Sequence, residues 1–306
     1  MSIIQYLRNL DISTEKWDAC IRDSEPSLIY AYSWYLDEVC DQWDGLVLND
    51  YEAVMPLPFT KFLGIRIGLQ PLFAQQLGIF SRELIDPTII DAFLNSIPAK
   101  FRWVRYQLNY RNKEVQFPTR SNFVLDLIQP YELLQKNYSS NLKRNLKKSV
   151  NSSCVLLEGI DFPSMLELIE FHAQQKNTGI TGKSKSKLSQ LMNILTNKGV
   201  LMSVGLYSPM NHLCATALFL KDRERIYYLV GAMDDTGRDY YGLGRIMDYV
   251  IEKHSGQAYT LDFEGSEIPG IARFMRQFGP QNSPYPVYLR KGFGLFNSLM
   301  TRKLGD

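Results

Sequence analysis

The sequence predicts an α/β protein with mixed sheets, built as two consecutive domains of similar plan. Its 306 residues, 45% of them hydrophobic, can form two cores, since one domain usually has about 100–200 residues. Helical and strand patterns also recur in the same order about 150 residues apart, which indicates a duplicated unit. We place the division between residues 135 and 136, so the predicted domains are 1–135 and 136–306.

The first half has the pattern of helices, a hairpin, a helix and further strands. Asn49-Asp50 separates two apolar alternating segments and is typical of a tight turn between antiparallel strands. The predicted segments are helices over 14–23, 31–42 and 87–97, and strands over 45–50, 51–59, 101–110 and 122–128.

The second half repeats this order. A turn at Pro209-Met210-Asn211 joins two of its strands, and a strand then leads into the longest amphipathic helix of this half. The predicted segments are helices over 162–175, 186–198 and 240–254, and strands over 200–208, 212–222, 225–232, 258–265 and 286–291.

Composition excludes several classes of protein. Lys and Arg total 34 against 32 Asp and Glu, and the net charge of +2 gives no general attraction to DNA or to a membrane surface. The four cysteines and three histidines are scattered, so we predict neither a metal site nor a disulfide framework. Arg8 and Asp11 interrupt the N-terminal apolar run, and no run of about 18 uncharged apolar residues occurs elsewhere. We therefore predict a cytoplasmic protein with reduced cysteines and without a membrane span.

The segment between the halves predicts a short helix with a basic face. Ser139 or Ser140 can cap its first turn. Spacing of four places an apolar stripe on one side, formed by Leu142, Leu146 and Val150. Another side carries a basic strip formed by Lys143, Arg144, Lys147 and Lys148. Dense positive charge at a domain junction favours binding of phosphates, from a nucleotide, coenzyme A or RNA, and a solvated helix face is the alternative.

Two glycines begin the helix that follows the strand over 225–232. Gly242 and Gly244 allow backbone N–H groups at the helix start to approach an anion such as a pyrophosphate. This spacing resembles the acetyl-coenzyme A loop of the GNAT acetyltransferases, but Asp239 stands at the basic position of that loop and Arg238 lies one place earlier. A glycine-rich turn before an ordinary amphipathic helix is the alternative.

Two carboxylates lie at the end of the next predicted strand. Asp262 and Glu264 alternate, so they point to one face, and Gly265-Ser266 then turn the chain toward a helix beginning at Pro269. At the carboxyl end of a strand, such groups face the crevice where α/β proteins bind ligands. They can accept a proton from an incoming amine or bind its ammonium group. Alternatively, Asp262 bonds the backbone of the turn and Glu264 is solvated.

The stretch from Leu261 to Gly279 resembles the Fem family, which includes the methicillin-resistance factors. The shared pattern is Asp-Phe-x-Gly-Ser, then Gly-Ile-x-x-Phe, then Phe-Gly. The matching residues are Asp262, Gly265, Ser266, Gly270, Ile271, Phe274, Phe278 and Gly279. The basic helix resembles the Arg-Asn-x-x-Lys helix of such proteins, through Arg144, Asn145 and Lys148. The first half of the chain fits by layout.

The resemblance implies two GNAT-like domains in tandem and transfer of an amino acid from aminoacyl-tRNA to the peptide of a peptidoglycan precursor. One residue departs from the family pattern: Met275 stands where many relatives have Lys. There the cation can stabilise the oxyanion of an acyl-transfer intermediate. Arg273 and Arg276 flank this position, and either guanidinium can donate hydrogen bonds to an oxyanion. The departure weakens the case for tRNA-dependent chemistry.

We therefore predict a transferase that moves an activated acyl or aminoacyl group to an amine in cell-wall or envelope glycan precursor synthesis. Asp262 and Glu264 are expected to handle the amine, and Arg273 or Arg276 to stabilise charge. The donor is aminoacyl-tRNA or acyl-coenzyme A, with no tightly bound cofactor, and the acceptor is a nucleotide-linked glycan or peptide precursor or a small amine. The predicted binding residues are Lys143, Arg144, Lys147, Lys148, Tyr228, Gly242, Gly244, Gly265, Ser266, Phe274 and Phe278.

Two other functions fit the same residues. The first is an acyl-coenzyme A-dependent N-acyltransferase acting on an amino sugar or another small amine, which depends on the loop from Gly242 to Gly244. The second is a catalytically silent module that binds a glycan precursor or RNA.

Overall fold

The chain forms two compact units. The computed structural model describes residues 3–112, 116–176 and 182–292, without the side chains of residues 175, 176 and 183. The first unit comprises Met1–Arg120 and Pro284–Asp306, and the second comprises Ser121–Ser283.

The first unit is a mixed sheet with helices. Ser13 caps the first helix by accepting a hydrogen bond from the Lys16 N–H, and Asp86 caps the third in the same way, with Pro87 at its first position. The helices are α1 (Thr14–Asp23), α2 (Ser33–Val39) and α3 (Pro87–Ser96). The strands are β1 (Ile4–Arg8), β2 (Gln42–Leu48), β3 (Ala53–Phe62), β4 (Ile65–Leu69), β5 (Phe80–Ser81), β6 (Phe101–Gln107), β7 (Thr119–Arg120) and, from the end of the chain, β15 (Tyr285–Arg290).

The second unit is also a mixed sheet with helices. Its helices are α4 (Tyr131–Lys136), α5 (Ser140–Val150), α6 (Phe162–Lys176), α7 (Lys183–Asn197), α8 (Asp235–Asp239), α9 (Gly242–His254) and α10 (Pro269–Arg276). Its strands are β8 (Phe123–Asp126), β9 (Val155–Glu158), β10 (Leu201–Tyr207), β11 (Leu213–Lys221), β12 (Arg225–Met233), β13 (Thr260–Asp262) and β14 (Gln281–Asn282).

The two sheets have the same strand plan. The order in the first is β1-β2-β3-β4-β6-β15-β7, with β5 beside β3, and the order in the second, read from the same side, is β9-β10-β11-β12-β13-β8-β14. In each sheet a helical connection joins a parallel pair: α3 lies between β4 and β6, and the short α8 and then α9 lie between β12 and β13. The predicted repeat of an α/β unit with mixed sheets is therefore confirmed.

Two strands are placed where the sequence pattern did not predict them. We expected the strand over 286–291 in the second domain, but β15 pairs with β6 and β7 in the first unit. Conversely β8, from the first half of the chain, pairs with β13 in the second unit. The units therefore divide at residues 120 and 121 and again at 283 and 284, where the sequence predicted one division at 135 and 136. Alternation identifies a strand but not its partner.

The core of the second unit positions its helices. α9 buries Ile246, Val250 and Ile251 against sheet residues such as Phe219, in one apolar cluster. α5 contributes Leu142 and Leu146 to the same cluster. Val150, which we expected in that stripe, is 57% exposed because the helix ends there. Across the described ranges, no helix combines the length and apolar character needed to cross a membrane.

Candidate active site

The parallel strands β12 and β13 of the second unit run together only briefly. Their paired residues end with Tyr227 and Asp262, whereas β12 continues to Met233. The Phe263 N–H then bonds the carbonyl of Phe123 in β8, at 2.9 Å, so the chain turns away from β12. In the part of the chain that the structure describes, no strand pairs with β12 beyond Tyr227 on this side, and this open edge lies at the carboxyl ends of the two strands, where α/β proteins place their ligands.

A bulge in β12 lies at the same point. Leu218 of β11 pairs with Val230 and the next residue, Phe219, pairs with Tyr228, so Leu229 is an extra residue in β12. A bulge bends its strand and increases the local twist. The bulge at Leu229 thus lies two residues beyond the last β12 residue that pairs with β13.

Asp262 is a buried carboxylate, and each of its two oxygens accepts a hydrogen bond. Its side chain is 1% exposed, and Oδ2 accepts a hydrogen bond from Nη1 of Arg225 at 2.7 Å. Oδ1 accepts the Glu264 backbone N–H at 2.9 Å. These contacts indicate that Asp262 fixes the strand end and the following turn. Arg225 was missed in the sequence, because only the register of β12 beside β13 brings it to Asp262.

The turn after β13 holds Glu264 in an unusual backbone conformation. Glu264 and Gly265 have φ of 57° and 43°, in the left-handed region. Only glycine fits at 265, because a Cβ there would lie 2.2 Å from the carbonyl oxygen of Ser121. Glu264 is half-buried, and the Ser266 hydroxyl accepts the Ile268 N–H just before α10. The turn therefore fixes the backbone of Glu264 just after the last paired residue of β13, and the Ser266 hydroxyl bonds the backbone before α10.

The start of α9 is tightly packed. A Cβ on Gly242 would lie 2.5 Å from the Ala215 Cβ, and one on Gly244 would lie 2.0 Å from the ring of Tyr241. Tyr241, the residue before the helix, has φ of 56°. Both glycines are thus required by packing, and the first-turn N–H groups have no carbonyl available within the helix.

Helix α10 places Met275 on its buried face and the two arginines on its exposed face. Met275 is 3% exposed and belongs to the core of the unit, whereas Arg273 and Arg276 are exposed. The Arg276 guanidinium carbon lies 5.0 Å from the ring centroid of Phe123 in β8, a cation–π contact. Arg276 is therefore directed toward β8, the strand next to β13.

The aromatic residues of the predicted site differ in their surroundings. Phe278 is fully buried and packs edge-on against Phe274 and Tyr138, with ring centroids 5.4 and 5.5 Å away. Tyr228 is half-buried on β12 with its hydroxyl against Gly231, and burial raises the pKa of that hydroxyl. Phe278 and Phe274 thus belong to the packing of α10, and Tyr228 lies at the open edge of β12.

The four basic residues of α5 lie in two different surroundings. Lys143 and Lys147 line a cavity against α9. Arg144 instead donates a hydrogen bond to the Asn141 side chain at 2.8 Å, and Lys148 is exposed. The four basic residues thus do not form one strip.

Gln277, at the end of α10, links three elements and was not singled out in the sequence. Its side-chain oxygen accepts hydrogen bonds from Asn141 of α5 and from the Tyr241 hydroxyl, each at 3.2 Å. Its carbonyl accepts the Ser139 N–H at 2.9 Å. This residue therefore fixes the starts of α5 and α9 relative to α10.

No protein-family model matches the sequence, and no match to it was found among the curated proteins. The fold is similar to that of FemX, over 99% of this chain and 100% of FemX, with a TM-score of 0.66 and 11% identity. It is also similar to the C-terminal domain of a putative lysylphosphatidylglycerol synthetase from Agrobacterium fabrum, over 96% and 99% of the chains, with a TM-score of 0.58 and 10% identity. A tandem GNAT protein from the clavulanic acid biosynthesis pathway aligns over 94% and 98%, with a TM-score of 0.56 and 11% identity. The predicted Fem-like fold of two tandem GNAT-like domains is therefore confirmed.

Proposed function

We propose that the protein is a transferase that moves an activated acyl or aminoacyl group onto an amine, at the open edge of β12 in the second unit. The observation that carries this proposal is the separation of β12 from β13 beyond Tyr227 and Asp262, beside the start of α9. The open strand edge offers backbone hydrogen bonds to an extended donor. The first turn of α9 offers N–H groups and the positive end of the helix dipole to a phosphate.

In the proposed reaction, the amine nitrogen attacks the carbonyl carbon of the donor and the bond to the donor oxygen or sulfur breaks. Glu264 accepts the proton that the amine loses. Arg276, or Arg273 one turn earlier, donates hydrogen bonds to the oxyanion of the tetrahedral intermediate. Asp262 acts as a positioning residue, because Arg225 and the Glu264 backbone already occupy its carboxylate.

The donor is aminoacyl-tRNA or acyl-coenzyme A in this proposal, and both carry phosphates. Arg144 and Lys148 on α5 are proposed phosphate contacts, since Gln277 connects the start of α5 with the start of α9. Acyl-coenzyme A is the second candidate donor. The feature that supports it is the glycine-containing start of α9, which lies beside the separated parallel strands. The fold shared with FemX and with a lysylphosphatidylglycerol synthetase domain supports an acceptor among envelope precursors, such as a nucleotide-linked glycan or peptide.

Ligand binding and single-turnover transfer test the proposal. We expect thermal stabilisation of the whole protein by either acyl-coenzyme A or an aminoacyl-tRNA, and transfer to an amine acceptor. Glu264→Gln should reduce the transfer rate about 10²-fold with an unchanged melting temperature, because the proton acceptor is lost. Glu167→Gln, at an exposed position of α6, is the matched control.

Two results would count against this function. An unchanged rate in Glu264→Gln would remove that residue from the reaction. Stabilisation by a UDP-linked glycan precursor without transfer from either donor would instead identify a catalytically silent binding module.

A further inference from the structure

The cavity that Lys143 and Lys147 line lies in the second unit. It is an open cavity with a volume of about 640 Å³, lined by residues of α4, α5 and α9 and by Leu156 of β9. Pockets of about 300–1,000 Å³ hold drug-sized ligands. None of the residues placed around β13 and its turn lines this cavity.

One side of the cavity is cationic. Lys143 and Lys147 of α5 line it together with Arg245 of α9. The Nη1 atom of Arg245 is buried and has no hydrogen-bond partner in the part of the chain that the structure describes. Leaving such a donor unpaired costs free energy, and a carboxylate oxygen would satisfy it.

The neighbouring part of the wall is acidic. Asp248 lies three residues and Glu252 seven residues after Arg245, so the three side chains share one face of α9. Asp248 is 8% exposed and accepts a hydrogen bond from the Tyr131 hydroxyl at 2.8 Å. Burial raises the pKa of the Asp248 carboxyl, so a bound cation would favour its charged form.

The rest of the wall is apolar. Leu146 and Val150 of α5 and Leu156 of β9 line it, with the ring of Tyr249. A ligand with only a negative charge would meet Asp248 and Glu252, and one with only a positive charge would meet three cationic side chains. A molecule that carries both charges and an apolar part matches all three kinds of wall.

We propose that this cavity binds a small ampholyte, a free amino acid or a peptide of two or three residues with apolar side chains. Its carboxylate pairs with Arg245 and the α5 lysines, and its ammonium group pairs with Asp248 and Glu252. Its side chains pack on Leu146 and Leu156. The residues proposed for this binding differ from those proposed for the transfer, so each proposal can fail without the other.

Calorimetric titration of the whole protein with leucylleucine, its N-acetyl derivative, its C-terminal amide and leucine tests the charge requirement. Leucylleucine should bind at least about tenfold more tightly than either blocked form, because each blocked form loses one charge pair. If leucine binds as tightly as leucylleucine, the proposal stands with the free amino acid as the ligand. Equal binding of a blocked form, or no binding at millimolar concentration, would overturn the proposal.

Two variants assign the charges to residues. Arg245→Gln should remove the preference for leucylleucine over its amide and keep the preference over the N-acetyl form, and Asp248→Asn should do the reverse. Arg102→Gln, an exposed change in the first unit, should alter neither ratio. If the variants at 245 and 248 do not fold, Lys147→Ala, at an exposed position, should weaken leucylleucine more than its amide. Equal effects on both ratios would contradict the assignment.

Discussion

Arg225 is the residue on which the geometry of the turn at Glu264 most depends. Its guanidinium is the cationic partner of the buried Asp262 carboxylate, whose other oxygen holds the Glu264 N–H. A buried carboxylate that loses its partner is strongly destabilising, by about 3–5 kcal/mol. We expect Arg225→Met to lower the free energy of unfolding by about that amount, measured by urea denaturation.

Arg223→Met is the control for this prediction, because Arg223 is exposed two residues earlier. It should change stability by less than about 0.5 kcal/mol. Similar stabilities of the two variants would mean that the Asp262–Arg225 pair does not hold the turn.

The burial of Met275 can be tested by a single substitution. Met275 is buried in the core, whereas Ile271, one turn earlier on the same helix, is 41% exposed. Met275→Lys places an ammonium group in apolar surroundings and should cost about 3 kcal/mol or more, measured by thermal unfolding. Ile271→Lys should cost less than about 1 kcal/mol. Equal costs would show that a lysine at 275 reaches solvent or the cleft.

Two carboxylates near a strand end were visible in the sequence, but their predicted alternation on one face is wrong, because β13 ends at Asp262 and Glu264 has a φ of 57°. Their different surroundings were not visible, because burial of Asp262 depends on Arg225 and on the register of β12 and β13, which two helices separate along the chain. Gln277 was missed for the same reason: its partners Asn141 and Tyr241 lie far from it along the chain.

Among the elements, α9 is the one whose position is most restricted by its sequence. Gly242 lies against Ala215 of β11, so a methyl group at 242 must push the helix away from the sheet. We expect Gly242→Ala to lower the free energy of unfolding by about 1–3 kcal/mol, as overpacking does. Such a shift would also displace the first-turn N–H groups that we propose as phosphate ligands.

Gly270 of α10 provides the contrasting change. Nothing lies within 4 Å of a Cβ added there, and it is in a helix. Gly270→Ala should therefore stabilise the protein by about 0.5–1 kcal/mol. A stabilising effect at both glycines in chemical denaturation would rule out the tight packing of α9.

Helices were the elements that the sequence predicted best. The expected helix over 14–23 is observed as Thr14–Asp23, because Ser13 gives a clear capping signal. β1, β4 and β9 were not predicted: β9, for example, exposes Val155 and Leu157 at an edge of the sheet and so lacks a clear buried face.

At the scale of the whole molecule, the second unit is continuous in sequence and the first is not. All strands of the second sheet lie within Ser121–Ser283. The first sheet needs β15 between β6 and β7, and Arg290 of β15 donates hydrogen bonds to the carbonyls of Ile97, Pro98 and Phe101. The strand pattern alone could not reveal this, since either sheet could accept an alternating strand.

A fragment of residues 121–283 should therefore unfold cooperatively by itself, as followed by circular dichroism. A fragment of residues 1–120 should not, because the edge of β6 is left unpaired. Adding a peptide of residues 284–306 should restore cooperative unfolding of the 1–120 fragment. Independent folding of residues 1–120 would contradict the requirement for β15.

The placement of β15 also affects how the chain folds on the ribosome. Domains usually fold in the order in which they are synthesised. Here the first unit begins to emerge first, but β6, which pairs with β4 on one side, acquires its second neighbour only when residues 285–290 are made. The second unit, whose strands end at Asn282, can be complete before then. The edge of β6 therefore stays unpaired during most of translation. We expect this exposed edge to be bound by a ribosome-associated chaperone.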